Sequence, residues 1–185
     1  MAALPFDPNG AVRFNLRSGA ASDSRGARLV LVPTAALASL GPDALTKIGL
    51  AIGRACGERV ASRLGGDGGV RAAQLEDAVS HLAGELAVAG VGAVHVERWG
   101  RAMVAIVSNP SIPDDMFIGA VLGGALSAAS GREVAAASLG RDRDETRNET
   151  RYFLGSPATA DHVRVLVGRG LGYAEVLATL QGAVS

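Results

Sequence analysis

Apolar residues recur every three to four positions in two segments of the first half of the chain. In Asp43–Leu64 they are Leu45, Ile48, Ile52, Cys56, Val60 and Leu64. In the second segment they are Leu75, Val79, Leu82 and Leu86, and Gly90 closes it. This spacing places the apolar side chains on one face of an α-helix. It predicts two amphipathic helices, joined by a glycine-rich turn at "GGDGG", that pack together.

The pattern then changes from helical to alternating. Two strand-like runs, Ala93–Arg98 and Ala102–Val107, predict a β-hairpin that turns at Trp99 and Gly100. Next comes "DDMFIGAVLGGALSAASG", whose acidic start suits a helix N-terminus and whose last glycine, Gly131, ends a third helix.

The last third of the chain predicts a second strand pair, in "REVAAASLG" and "ETRYFLGS". The charged residues between these strands mix both signs and predict a solvated hairpin tip. Two helices, Pro157–Val167 and Tyr173–Gln181, follow, with Ser156 as the cap of the first. The glycines of "GRGLGY" predict a linker between these helices, because a nucleotide-binding loop would follow a strand and open a helix.

The order of these elements predicts an α+β fold, with helices packed on a mainly antiparallel sheet of about four strands. Residues 1–25 are rich in turn formers and predict a flexible N-terminal tail or edge extension, in which "AVRFNLRS" is the one short strand. Residues 26–185 form the single predicted domain. It opens with the branched run "ARLVLVP" and a helical turn or two in "PTAALASLG".

Composition narrows the function classes. The chain has 185 residues, of which 48% are hydrophobic and 19% charged, and its net charge of zero argues against a nucleic-acid partner. No apolar run reaches the roughly 20 residues that a bilayer requires. The N-terminal residues lack a signal-peptide pattern, so we expect a cytoplasmic protein. The lone cysteine, Cys56, excludes an internal disulfide.

Several phrases together resemble a known family. They are "LVLVPTAALASLG", "LTKIGLAIGRACGERVASRL", "VERWGRAMVAIVSNP", "FIGAVLGGALSAASGREVAAA" and "ETRYFLGSP". The chain resembles the 4-vinyl-reductase domain family, the bacterial and archaeal relatives of the small subunits of the transport-protein-particle (TRAPP) complex. The resemblance implies a homodimer formed through the helices. It also implies a non-enzymatic module that binds a small hydrophobic ligand or docks a partner protein.

Two other functions follow from the same resemblance. One is a bacteriochlorophyll-pathway factor that binds a tetrapyrrole, and the other is a subunit that acts with a small GTPase or a larger assembly. The sequence contains neither a P-loop nor a Gly-x-Ser-x-Gly motif, so we predict no catalytic residue. Family members often carry cysteines around the last strand pair, but here Thr150 precedes Arg151. We therefore predict no metal. We also predict no cofactor, other than a hydrophobic small molecule or a tetrapyrrole that the domain could hold.

The candidate ligand-binding residues are Cys56, Phe117, Val121, Leu122 and Gly124. For Cys56 we favour a small buried apolar side chain, and the alternative is an acylated or ligand-contacting thiol, as in lipid-modified relatives. The small residues around Gly124 let another backbone approach closely. They predict helix packing within the chain, a dimer seam, or an apolar pocket where they meet the three larger side chains.

The three histidines fall on different predicted elements, which argues against a shared metal site. His95 and Glu97 lie on one face of a strand but lack the cysteine pair that a zinc deaminase needs. His81 precedes Glu85 by four residues, which predicts a pair on the helix surface.

Overall fold

A computed structural model describes residues 6–141 and 148–182, so most of the predicted charged hairpin tip lies outside the described residues. The strands are β1 (Val12–Asn15), β2 (Ala20–Asp23), β3 (Arg28–Leu29), β4 (Ala93–Trp99), β5 (Ala102–Ser108), β6 (Ala135–Arg141) and β7 (Glu149–Gly155). The helices are α1 (Thr34–Ala38), α2 (Pro42–Arg63), α3 (Asp67–Ala72), α4 (Leu75–Val88), α5 (Asp115–Ser130), α6 (Pro157–Gly168) and α7 (Tyr173–Gly182). The α+β fold is confirmed.

The larger sheet has four antiparallel strands in the order β4-β5-β7-β6. Both predicted hairpins form, and they join through β5 and β7, where Val104 lies opposite Phe153. β5 and β7 are therefore the central strands.

Helices cover both faces of this sheet. Alternate strand residues, such as Ala105 and Tyr152, pack in a core with α2, α4 and α5. Their neighbours in sequence, Val104 and Phe153, point to the opposite face and pack under α6 and α7. Because successive strand side chains alternate between faces, the central strands must be apolar on both sides.

The predicted helix ends are confirmed where a cap is visible in the sequence. The Asp114 carboxylate accepts a hydrogen bond from the Phe117 amide at 2.7 Å, and Gly131 ends α5 with a φ of 65°. Ser156 accepts a hydrogen bond from the Thr159 amide at the start of α6. These side chains satisfy amide groups that the first helical turn leaves without partners.

The structure adds detail that the sequence patterns did not give. The run "ARLVLVP" forms a strand only at Arg28–Leu29, and the apolar residues 30–32 after it are exposed. The short helix α3 begins inside the predicted glycine-rich turn. In the N-terminal segment, β1 pairs with β2 and β2 with β3, so the segment forms a small sheet of its own. The assignment of residues 1–25 as a tail or edge extension, and the boundary at residue 25, stay predictions.

Glycines allow α2 and α5 to run parallel in backbone contact. The series Gly49, Gly53 and Gly57 faces the carbonyl groups of Phe117, Val121 and Ala125 in turn. A Cβ atom on Gly49 would lie 2.8 Å from the Phe117 oxygen, and one on Gly53 or Gly57 would come closer still to its carbonyl. The contact is reciprocal, because a Cβ atom on Gly124 would lie 2.8 Å from the Leu50 oxygen.

We expect Gly53→Ala to lower the free energy of unfolding by about 2 kcal/mol, because the added methyl group meets a backbone that cannot move without separating the helices. Gly119→Ala in α5 is the matched control, since its Cβ atom would lie 3.5 Å from the nearest heavy atom, an ordinary contact. There the gain in helix propensity should stabilise the protein by up to about 1 kcal/mol. Urea unfolding measures both, and equal effects would contradict the assignment.

Candidate ligand-binding groove

A groove of about 880 Å³ opens along the face of α5 that carries its smallest residues. We name it the α5 groove. Its lining residues are Thr46, Leu50 and Arg54 of α2; Asp115, Met116, Gly119, Ala120, Gly123, Gly124 and Ser127 of α5; residues 131–136 and Ser138; and Arg164, Val167 and Gly168 of α6. The volume falls in the range typical of small-molecule sites.

The floor of the groove consists mainly of backbone atoms and small side chains of α5, and it lies between two walls. One wall is α2, whose backbone lies against Gly124. The other wall is β6, with α6 behind it. A Cβ atom on Gly123 would lie 3.1 Å from the Val134 oxygen, and Ser127 exchanges hydrogen bonds with the backbone of Val134 at 2.9 and 3.0 Å. These bonds fix β6 beside α5, so the groove keeps a defined width.

The end of the groove near the start of α5 is held by a carboxylate. Asp115 accepts hydrogen bonds from the Ser138 hydroxyl at 2.9 Å and from the Tyr152 hydroxyl at 3.2 Å. Nearby, Arg164 pairs with Asp161 and donates to the Ala136 carbonyl oxygen at 2.9 Å. The polar groups at this end are therefore engaged within the protein.

The structure separates the five predicted ligand-binding residues. Gly124 lines the groove, whereas Phe117, Val121 and Leu122 point into the core between α5 and the sheet. Cys56 is fully buried and lies between α2 and α4, away from the groove. Whether these four buried residues contact a ligand stays a prediction.

A buried ionic cluster surrounds Cys56. We name it the Arg59 cluster, and its members are Asp23 of β2, Cys56, Arg59 and Arg63 of α2, and Glu85 of α4. Arg59 Nε and Arg63 Nε lie 2.5 and 3.0 Å from the two Glu85 carboxylate oxygens, and Arg59 Nη1 lies 3.6 Å from Asp23 Oδ2. Two positive and two negative charges balance, which offsets the cost of burying them.

The surroundings shift two pKa values in this cluster. Burial raises the pKa of the Cys56 thiol to about 11, against an opposing effect of the Arg59 charge. The Cys56 sulfur also lies 3.3 Å from Arg59 Nη2. Burial alone would lower the pKa of Arg59, but the hydrogen bond to Glu85 and the neighbouring negative groups raise it overall. Burial and the raised pKa both favour the protonated thiol at neutral pH, as is typical of a structural cysteine.

The predicted surface pair between His81 and Glu85 is wrong. Both side chains are buried, and Glu85 binds the two α2 arginines instead. The ring of Phe6 lies edge-on to His81 and 5.1 Å from the Arg63 guanidinium carbon. His95 and Glu97 are exposed on β4, and His162 is exposed on α6. Across residues 6–141 and 148–182, no three His, Cys, Asp or Glu side chains gather as metal ligands would.

Sequence reasoning missed the Arg59 cluster, although a signal was present. Arg59 follows Cys56 by three residues and Glu85 follows Leu82 by three, so both lie on the apolar faces of their helices. Opposite charges on the facing sides of two helices that are predicted to pack indicate a buried ion pair. No comparable pattern in the sequence indicated that β6 and α6 would form a wall of the groove.

We expect Glu85→Gln to lower the free energy of unfolding by about 3–5 kcal/mol, because the buried Arg59 would lose its nearest carboxylate and keep only Asp23, at 3.6 Å. Glu58→Gln makes the same chemical change in the exposed pair that Glu58 forms with Arg25 at 3.2 Å. It should cost less than about 1 kcal/mol. Chemical denaturation of both variants checks this, and losses of similar size would refute the cluster's role.

The raised pKa of Cys56 predicts a stability loss at high pH. Between the ordinary value of 9.0 and about 11, the unfolded thiol ionises while the folded one stays protonated, so the contribution is complete below about pH 9 and falls as pH rises. From neutral pH to about pH 10.5, wild type should lose about 2 kcal/mol more than Cys56→Ala. Urea unfolding at the two pH values measures the difference. Parallel losses in the two proteins would count against a buried, protonated thiol.

Comparison with protein-family models and with curated proteins gives no match. Among solved structures, the chain is similar to a crystal structure of the phenol-responsive sensory domain of the transcription activator PoxR with phenol. The TM-score is 0.59 and the identity 15%, over 78% of this chain and 84% of that chain. At this identity the similarity shows a shared fold. That neighbour is a small-molecule sensory domain.

Within the described residues, no helix is long and apolar enough to span a membrane.

Proposed function

We propose that this chain is a non-enzymatic binding module that holds a small apolar molecule in the α5 groove, in a sensory or scaffold role. The observation that carries the proposal is the groove itself. It has a floor of glycine and alanine, apolar side chains such as Leu50, Met116 and Val134 on its walls, and charged groups towards its two ends. Such a surface gains free energy when an apolar ligand displaces water from it.

The shared fold with a phenol-responsive sensory domain supports this proposal, because that fold holds a small aromatic molecule in the neighbour. We also propose membership of the 4-vinyl-reductase domain family, which rests on the sequence phrases and on the order of elements. The homodimer, the cytoplasmic location and the absence of a cofactor stay predictions. The tetrapyrrole and GTPase alternatives have no specific contact in the described residues to favour them.

A leucine at position 119 tests the groove as the binding site. Gly119 lies in the floor, and a longer side chain there would occupy the space above Ala136. We expect Gly119→Leu to weaken binding of the neutral fluorescent probe 1-pyrenebutanol at least about tenfold, measured by fluorescence anisotropy. Circular dichroism and urea unfolding check that the variant stays folded.

The matched control is Ala55→Leu, which places the same leucine side chain at an exposed position of α2 that does not line the groove. It should leave probe binding unchanged. If wild type does not bind the probe, or if both variants weaken binding equally, the α5 groove is not the ligand site and the proposal fails.

A further inference from the structure

Three arginines lie along the half of the α5 groove that is nearer the C-terminus of α5. Arg54 and Arg132 line it, and Arg71 Nη2 lies 3.9 Å from the position that a Cβ atom would take on Gly131. The three residues come from different parts of the fold, namely α2, α3 and the segment after α5. Their side chains are exposed to solvent.

None of these three guanidinium groups is engaged within the described part of the chain. Arg54, Arg71 and Arg132 form no ion pair and donate no side-chain hydrogen bond to another described residue. Arg164, in the other half, is paired. The cationic half of the groove is therefore open to a partner from outside the described residues.

The charge balance of this half is positive. Glu133 is its one carboxylate among the groove-lining residues, and it also forms no ion pair within the described residues. The three arginines and Glu133 leave a net charge of about +2 beside a mostly apolar floor. At the opposite end, the Asp115 carboxylate is already bound by two hydroxyl groups. The groove is thus polarised along its length.

A structural role for the arginines at the C-terminus of α5 is the competing explanation, since cations stabilise a helix C-terminus. Hydrogen bonds within the chain already satisfy carbonyl groups near that end. The Gly131 amide donates to the Ser127 carbonyl oxygen at 3.0 Å, and the Ser130 hydroxyl donates to the Leu126 carbonyl oxygen at 2.7 Å. Arg54, moreover, lies beside Gly124 in the interior of α5 rather than at its end.

We propose that the α5 groove selects an amphipathic anion, with its flat apolar body on the glycine floor and its carboxylate or similar group between Arg54, Arg71 and Arg132. This inference rests on the proposed function and adds the chemical class of the ligand. Guanidinium groups bind carboxylates with charge-assisted hydrogen bonds, often in pairs. An uncharged phenol would leave the cationic half unused.

The anion is a single free molecule rather than the surface of a membrane. The floor lies between α2 on one side and β6 with α6 on the other. A flat bilayer surface would meet these walls before it reached the glycines. A molecule with one apolar end and one charged end fits both halves at once.

A matched pair of probes separates charge from apolar contact. 1-Pyrenebutyrate and 1-pyrenebutanol share the same flat ring and differ in the charged group. We expect wild type to bind pyrenebutyrate more tightly. In the triple variant Arg54→Gln, Arg71→Gln, Arg132→Gln, the dissociation constant for pyrenebutyrate should rise about tenfold, while that for pyrenebutanol should change less than about twofold.

The control variant removes the same charge far from the groove, with Arg13, Arg17 and Arg28 of the N-terminal segment changed to Gln. It should leave both dissociation constants unchanged. Glu133→Gln should move pyrenebutyrate binding in the opposite direction, towards tighter binding. Added salt should weaken binding of the acid and spare the alcohol.

Three results would overturn the inference: equal losses for both probes, no loss for pyrenebutyrate, or the same loss in the control variant. Equal losses would assign the arginines a structural role. Arginine-dependent sedimentation with phosphatidylglycerol vesicles, without arginine-dependent pyrenebutyrate binding, would assign them to a membrane lipid. If pyrenebutanol binding persists and stays sensitive to Gly119→Leu, the proposed function survives any of these results.

Discussion

The contact between α2 and α5 is the constraint on which the rest of the structure depends. Two parallel helices approach to backbone distance only where side chains are absent on the facing surfaces, and glycines at four-residue intervals provide that surface. Because α5 lies so deep against α2, its opposite flank packs directly on the sheet. The remaining face, made of small residues, becomes the floor of the groove. The contact between α2 and α5 therefore determines both the core and the candidate site.

The Arg59 cluster ties the N-terminal sheet to this helix pair. Glu85 binds two arginines of α2, and Asp23 supplies the second negative charge from β2. The other oxygen of Asp23 accepts hydrogen bonds from the amides of Arg25 and Ala27, which holds the turn into β3. The same carboxylate thus shapes a local turn and balances a buried charge on another element.

Periodicity predicted the long elements well, because local spacing alone decides which face of a helix is apolar. The predicted helix Asp43–Leu64 differs from α2 by one residue at each end, and Asp114, Gly131 and Ser156 marked helix ends through their own capping chemistry. The strand order did not follow from the sequence, because nothing local distinguishes a central strand β7 from an edge strand. The groove could not be predicted from local patterns either, because its walls come from α2, β6 and α6, which are distant in sequence. Gly124 was found because it belongs to the floor, whose small residues are contiguous on one helix.

The glycine contact also limits how this fold can change its selectivity. On the α2 side, the floor and the wall meet through backbone atoms, so the helix itself cannot move outward without breaking this contact, and only its lining side chains Thr46, Leu50 and Arg54 can be exchanged. On the opposite side, the wall is made of side chains such as Val134 and Val167, which can be exchanged while the backbone stays in place. Adaptation to a new ligand therefore falls to side chains on both walls, while the glycine contact keeps α2 at a fixed distance from the floor.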